Sequence, residues 1–545
     1  MLLVLKRDPQ QDLAVRRLLD DQQDKNSPNY HKWLTPAQFG AQFGAADQDI
    51  QLIAGWLQNH GFQVNRVSNG RSIIEFSGFE SQVEQAFHTQ IHRYALPNGE
   101  LHWANASDPQ IPAALAAAVK GVWSLHDFKK KSDLVVDGAH LASPGTSPQF
   151  TSSTGKHALM PGDFATIYNL NPLYAQGING QGTTIAIVGR TDFDQSNVYN
   201  FWSQAGFSQF INVILNGPDP GILSQGEEFE ANLDVTWSGS VARGANLKFV
   251  TSSSTNTTDG VDLSELYIVD NNVGDVMTES FGLCEAFFNS AEAQAISALA
   301  EQAAAEGITY MVSTGDNGAE GCSDPNSSSA NQAPPGVNML ASTPFTVAVG
   351  GTMFNEGNNN STYWNSANGP GGMTAKSYIP ENVWNESCPS CGLWAGSGGA
   401  SGVFSKPNWQ FGVSGIPNDG ARDLPDVSLA AAGRHDPYLL CFASQCFYGV
   451  GGTSASAPSF AGIMALIVQQ YGRQGAVSYI LYRLATSETL SQCNASKTTA
   501  LPSSACIFND VTSGNNAVPG ELNYGTAAAN TKREWATTSQ QVSDQ

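Results

Sequence analysis

The sequence predicts an α/β protein in two parts: a large domain on a doubly wound parallel sheet, preceded by a small α+β domain. Three observations carry this. From about residue 159, short apolar segments (TIAIVG, NLKFVT, GDVMTES, ITYMVSTG, FTVAVGG) alternate with helical stretches, the pattern of parallel strands joined by crossover helices on both faces. Residues 128–158 open with Lys129-Lys130-Lys131 and run through ASPGTSPQFTSSTGK without periodicity. They read as an exposed, easily cut linker. Residues 1–127, ahead of that linker, mix helical and strand spacings. The division is therefore 1–127, 128–158 and 159–545.

In the front domain, DIQLIAGWLQNHG places Ile50, Ile53 and Leu57 on one helical stripe closed by Gly61. FQVNRV and SIIEF read as strands, ESQVEQAFHT as a second helix and QIHRYAL as a further strand, followed by a turn at Pro97-Asn98-Gly99. The opening MLLVLKRDPQ is too short for the apolar region of a signal peptide and is charged on the wrong side. No run of 18 apolar residues predicts a membrane span.

The chain has 545 residues and a net charge of −22. Residues 1–131 balance their charges, so the whole excess falls on the remainder. An acidic surface argues against nucleic acid as a partner and suits an acidic medium. The eight cysteines form four near pairs: Cys284/Cys322, Cys388/Cys391, Cys441/Cys446 and Cys493/Cys506. Disulfides in an oxidising, extracellular or periplasmic compartment are one reading. A zinc-thiolate module around Cys388 and Cys441 is the other.

GGTSASAPSF mounts Ser454 behind two glycines at the head of an apolar run, a setting suited to a nucleophile. Its base is the problem. Of nine histidines, six lie in the front domain and two in the linker, leaving His435 in the loop-like AAGRHDPY. In GEEFEANLDVTWSG, Glu230 and Asp234 are four apart, so a helix projects both carboxylates from one face among Leu233, Val235 and Trp237. Neighbouring desolvated carboxylates share a proton, and one pKa rises. Glu230 then serves as general base, oriented by Asp234. Asp316 follows the strand ITYMVSTG in a Gly-flanked turn, and a protonated carboxylic acid there can donate to an oxyanion. The bland alternatives are a wet acidic face and ordinary turn chemistry.

GGTSASAP, EANLD and STGDNGA together resemble the sedolisin, or serine-carboxyl, peptidases, and HKWLTPAQFGAQFG with VWSLHDF is similar to their pro-kumamolisin-type activation domain. The resemblance spans nearly the whole chain. It implies a subtilisin-like peptidase fold behind a ferredoxin-like prodomain, with Ser454 as nucleophile, Glu230 as base, Asp234 as its partner and Asp316 as oxyanion donor. It further implies an acid-active monomeric endopeptidase acting on proteins or peptides, held as a self-processing zymogen by its own prodomain as intramolecular inhibitor, with no membrane or nucleic-acid partner. It also implies one calcium ion, Ca2+, for which FNDVTSGNN supplies Asp510 and the Val511 carbonyl. The second, Gly-rich half of that site is not recognisable in ELNYGTAAANTKREWATTSQQVSDQ, where Asp544 is the only further Asp. The competing reading is an inactive extracellular binding protein that keeps the fold. Below about pH 6 the six front-domain histidines gain charge, which would loosen that domain and trigger cutting within residues 129–158.

Overall fold

The computed structural model describes residues 1–96, 99–141, 157–330, 336–443 and 445–521. The linker stretch 142–156, part of the turn at 97–98 and the C-terminal residues 522–545 lie outside them.

The large domain is the doubly wound sheet. Its strands lie in the order Ile211–Leu215, Asn246–Thr251, Thr184–Gly189, Val276–Glu279, Thr309–Ser313, Val347–Phe354 and Glu381–Val383, with Val427–Ala430 also paired to Val347–Phe354. Every pairing is parallel except that of Glu381–Val383. Alternate side chains point to opposite faces. Ile185, Ile187, Leu247, Phe249 and Met311 meet the helices Gln225–Val241 and Thr453–Tyr471 in one core. Ala186, Val188, Val250, Met277 and Val312 meet Gly260–Asp270 and Ser290–Ala305 in the other. Two buried faces explain why these strands read as near-continuous apolar runs.

The front domain is an antiparallel sheet ordered Gln63–Val67, Ile73–Ser77, Leu2–Leu5, Val119–Val122. In chain order the helices Pro9–Gln23, Pro36–Phe43 and Asp47–Asn59 lie between Leu2–Leu5 and Gln63–Val67, and the helix Glu80–Phe87 and the hairpin Ile91–Ala95/Leu101–Asn105 lie between Ile73–Ser77 and Val119–Val122. Leu3, Leu5, Ile74 and Phe76 pack on the domain's own Ile53, Leu57, Val83 and Phe87. Leu2, Val4, Ile73 and Trp123 join the second core of the large domain. Val15, Leu19, Phe39 and Phe43 form a further cluster with Ala304, Ala305 and Ala476. The two domains thus share apolar cores as well as a surface.

MLLVLKRDPQ carries no strand pattern in the sequence, yet Leu2–Leu5 is a central strand paired on both sides, and Asp8 caps the helix Pro9–Gln23. One expectation is corrected. The linker is not uniformly exposed. Lys130 and His157 are buried, Lys131–Ser132 pairs with Phe281–Gly282, and Val135–Leu141 pairs with Gln445–Gly451. Ion pairs and backbone ladders hold these segments, and neither depends on the apolar periodicity by which elements are read.

Candidate active site

The helix Thr453–Tyr471 begins directly after the strand Gln445–Gly451, through Gly452 at φ 99. That left-handed conformation favours glycine. A Cβ there would also collide with the Asp133 carbonyl oxygen and Asp316 Oδ2. The turn presents Ser454, whose Oγ donates to Glu230 Oε2 at 2.9 Å.

Glu230 and Asp234 lie one turn apart on the helix Gln225–Val241, and both are wholly buried. Burial raises both pKa values far above the ordinary carboxylate range, and Asp234 raises Glu230 further. Two neighbouring buried carboxyls whose charges repel hold a proton between them. Ser280 Oγ donates to Asp234 Oδ1 at 2.6 Å.

Asp316 stands just past the strand Thr309–Ser313. Its Oδ1 accepts from the Thr453 N–H at 2.7 Å and from Thr453 Oγ1 at 3.0 Å. Burial, then the charge of Asp133, push its pKa well up. With Oδ1 occupied by donors, a proton on Asp316 belongs on Oδ2, the oxygen beside the Asp133 carbonyl. The four catalytic candidates therefore meet in one place.

Residues 131–133 of the linker occupy the same place. The Ser454 N–H donates to the Asp133 carbonyl at 3.0 Å, and the Asp133 N–H donates to the Ser280 carbonyl at 3.1 Å. Ser132 Oγ donates to Glu230 Oε2, and Ser313 Oγ donates to Asp133 Oδ2 at 2.6 Å. Burial pushes the Asp133 carboxyl up to about 7. Sequence reasoning missed Ser132, Asp133, Ser280, Ser313 and Thr453. Ser280 and Ser313 were legible as ends of predicted parallel strands; Ser132 and Asp133 carried no local signal.

His435 lies elsewhere, with Nε2 2.9 Å from Glu356 Oε2. The four cysteine pairs are disulfides, Cys284–Cys322, Cys388–Cys391, Cys441–Cys446 and Cys493–Cys506, which displaces the zinc reading. Asp510 is buried, its backbone tied to Cys493 and Ala495 at 2.7 Å each, and Val511 is buried beside it. Among the described residues, the groups of ligating side chains that could hold a metal do not include Asp510. Asp510 and Val511 contribute one carboxylate and one carbonyl, whereas calcium takes six to eight oxygens. The described residues alone do not fit the ion.

Fold and site together define a serine peptidase behind an activation domain. The family description "Pro-kumamolisin, activation domain" matches residues 2–128, and "Subtilase family" matches residues 221–502, more than half of the chain. Sedolisin of Pseudomonas sp. (strain 101) is 28% identical over 519 residues, covering 93% of this chain and 80% of that protein. Kumamolisin of Bacillus sp. (strain MN-32) is 25% identical over 521 residues, covering 90% and 81%. The solved structure of Pseudomonas sedolisin complexed with two molecules of pseudo-iodotyrostatin superposes with a TM-score of 0.53 at 29% identity, over 67% of this chain and 91% of that one. The chain belongs to the subtilase family and, within it, to the sedolisin-type peptidases, with the activation domain of a zymogen at its front.

Proposed function

We propose that this protein is an acid-active serine endopeptidase that processes itself, and that Asp133–Leu134 is the first bond it cuts. The observation that carries the reading is the docking of the chain's own linker: the Asp133 carbonyl accepts from the nucleophile's N–H, while the Ser454 hydroxyl bonds to Glu230. In this reading Ser454 Oγ attacks the Asp133 carbonyl carbon and Glu230 takes its proton. The oxyanion forms between the Ser454 N–H and a protonated Asp316, donors aimed where charge develops. Glu230 returns the proton to the Leu134 amine as the C–N bond breaks. Water then repeats the sequence on the acyl-enzyme, and Asp234 holds Glu230 in place through their shared proton. Burial raises the pKa of Glu230, Asp234 and Asp316, and the charge of Asp133 adds to it, so departure of the docked segment, which admits water and removes that charge, lets these groups titrate nearer the ordinary range of about 4. Activity peaks below about pH 5.5 on that account.

Acid release rests on carboxylates rather than histidines. Across the domain interface Arg7 pairs with Glu301, Arg66 with Asp270 at 3.3 Å, His126 with Glu292 at 3.2 Å and Lys130 with Asp262. Burial raises the carboxyls of Glu301, Asp270 and Asp262, and Arg7, Arg66 and Lys130 pull them part of the way back. Only the cations' share depends on docking of the prodomain segment; it is present at neutral pH and is lost as pH falls and the carboxyls protonate. His126 faces the Glu292 carboxylate rather than a cation. Replacing all six front-domain histidines should leave the pH of processing within about half a unit.

Acid processing and the four disulfides suit an extracellular or periplasmic site, and the protein works as a monomer. If Asp510 and the Val511 carbonyl hold a calcium ion, EDTA should lower the melting temperature, and an unchanged melting curve would remove calcium from the account. The activity itself is tested by digesting an unfolded protein at pH 4 with the wild type and with Glu230→Gln. Digestion by the wild type alone is expected. Equal digestion by both, or by neither, would favour the inactive binding protein or a different base.

A further inference from the structure

Beside the catalytic cleft lies a second buried acidic cluster, which the chemistry above does not use. Asp259, Asp262 and Glu265 come from the helix Gly260–Asp270 and its cap, and Glu279 from the end of the strand Val276–Glu279. All four are buried. Asp259 has its own cation, Arg190, at 2.9 Å. Asp262, Glu265 and Glu279 face a different one: the ammonium group of Lys130, which donates to Asp262 and partly offsets the burial that raises all three carboxyls. The Lys130 backbone N–H also donates to Asp259 Oδ2 at 2.8 Å. Lys130 is 4% exposed, although it sits among three consecutive lysines.

Its position in the docked segment gives the cluster a meaning. With Asp133 at the nucleophile and Lys131–Ser132 laddered on Phe281–Gly282, Lys130 is the fourth residue before the bond presented to Ser454. Lys131 points outward, 64% exposed, toward Asp324 at 3.3 Å. When the prodomain segment leaves, Asp262, Glu265 and Glu279 lose the cation that faces them. Glu279 keeps the hydroxyl of Tyr310, but a pocket of buried carboxyls with no facing cation favours a ligand that brings a positive charge.

We propose that Asp262, Glu265 and Glu279 form a substrate pocket that selects a lysine or arginine side chain four residues before the cleaved bond, and that Lys130 fills it in the zymogen. The proposal rests on the peptidase reading above and adds a substrate preference to it. A buried ammonium–carboxylate pair discriminates strongly against an uncharged isostere, because the isostere leaves the acid unpaired.

The test uses acid-activated full-length protein at pH 5 and two peptides copied from residues 130–137, one with lysine first and one with norleucine, which keeps the stem and removes the charge. The expected result is a kcat/KM at least about tenfold higher for lysine, and a value for a third peptide with glutamate first below that for norleucine. In Asp262→Asn the lysine-to-norleucine ratio, taken within that one enzyme, should fall to about twofold or less. If that variant does not fold, the wild-type ratio decides alone. Equal cleavage of the lysine and norleucine peptides would overturn the pocket while leaving the peptidase intact. Cleavage of none of the peptides, nor of an unfolded protein, would overturn both.

Discussion

Two buried carboxyl clusters flank the docked linker, and they differ in one respect, the presence of a cation. Glu230 and Asp234 have none; their contacts are hydroxyls and each other, and burial drives them toward a shared proton. Asp259 has Arg190 and Lys130, which outweigh burial and hold it below the ordinary carboxylate range, while at Asp262 Lys130 offsets part of the burial cost. The same residue types in similarly dry surroundings thus acquire different habits. Without a cation, a carboxyl pair keeps a proton to trade, which suits acid–base chemistry. With a cation, the charge is fixed and becomes a means of recognition.

Breaking the first cluster should have the largest effect. Glu230→Gln removes the group that takes the Ser454 proton, and kcat/KM on an unfolded protein or a peptide should fall by about 10⁴ or more. Asp234→Asn should cost somewhat less, roughly 10³ to 10⁴ in kcat, because the amide cannot share Glu230's proton but still accepts from Ser280. Steady-state rates near the optimum would check both, and a loss below tenfold for either would break the distinction.

The second cluster should respond in stability rather than chemistry. Lys130→Met leaves buried carboxyls without their cation, at a cost of about 3 kcal/mol to the zymogen at pH 7.5. Lys130 lowers those carboxyl pKa values, so the deficit should shrink as pH falls and the acids become neutral. Melting the inactive Ser454→Ala background at pH 7.5 and pH 4.5, with and without the substitution, reads this directly; a deficit independent of pH would mean that packing alone was lost.

Asp133→Asn should have the smallest effect. The Asp133 carboxyl is pushed up to about 7 when docked, so the penalty on its docking is absent below about pH 4, grows as pH rises toward 7 and is constant above it. The asparagine form should melt about 1–3 °C higher at pH 8 and gain less at pH 5.

The sequence made the parallel sheet legible because both faces of each strand are buried, and it made Glu230 and Asp234 legible because a four-residue spacing on a helix fixes a common face. Ser454 and Asp316 were readable from glycine-rich turns at strand ends. Leu2–Leu5 was not, since four apolar residues beside a charged segment carry no periodicity. Asp133 was least legible. It owes its place to pairing with residues 280 and 281, some 150 positions away, and a ladder formed at that distance leaves no mark on the local sequence. The calcium half-site was readable only as Asp510 and Val511.

The most direct measurement is the first new N-terminus. The protein would be purified at neutral pH, moved to about pH 4, and followed by intact-mass spectrometry beside Ser454→Ala. The account predicts that the wild type alone is cut and that the earliest product begins at Leu134. A first cut at another bond, or the same cut in Ser454→Ala, would contradict the claim that the docked linker is the enzyme's own first substrate.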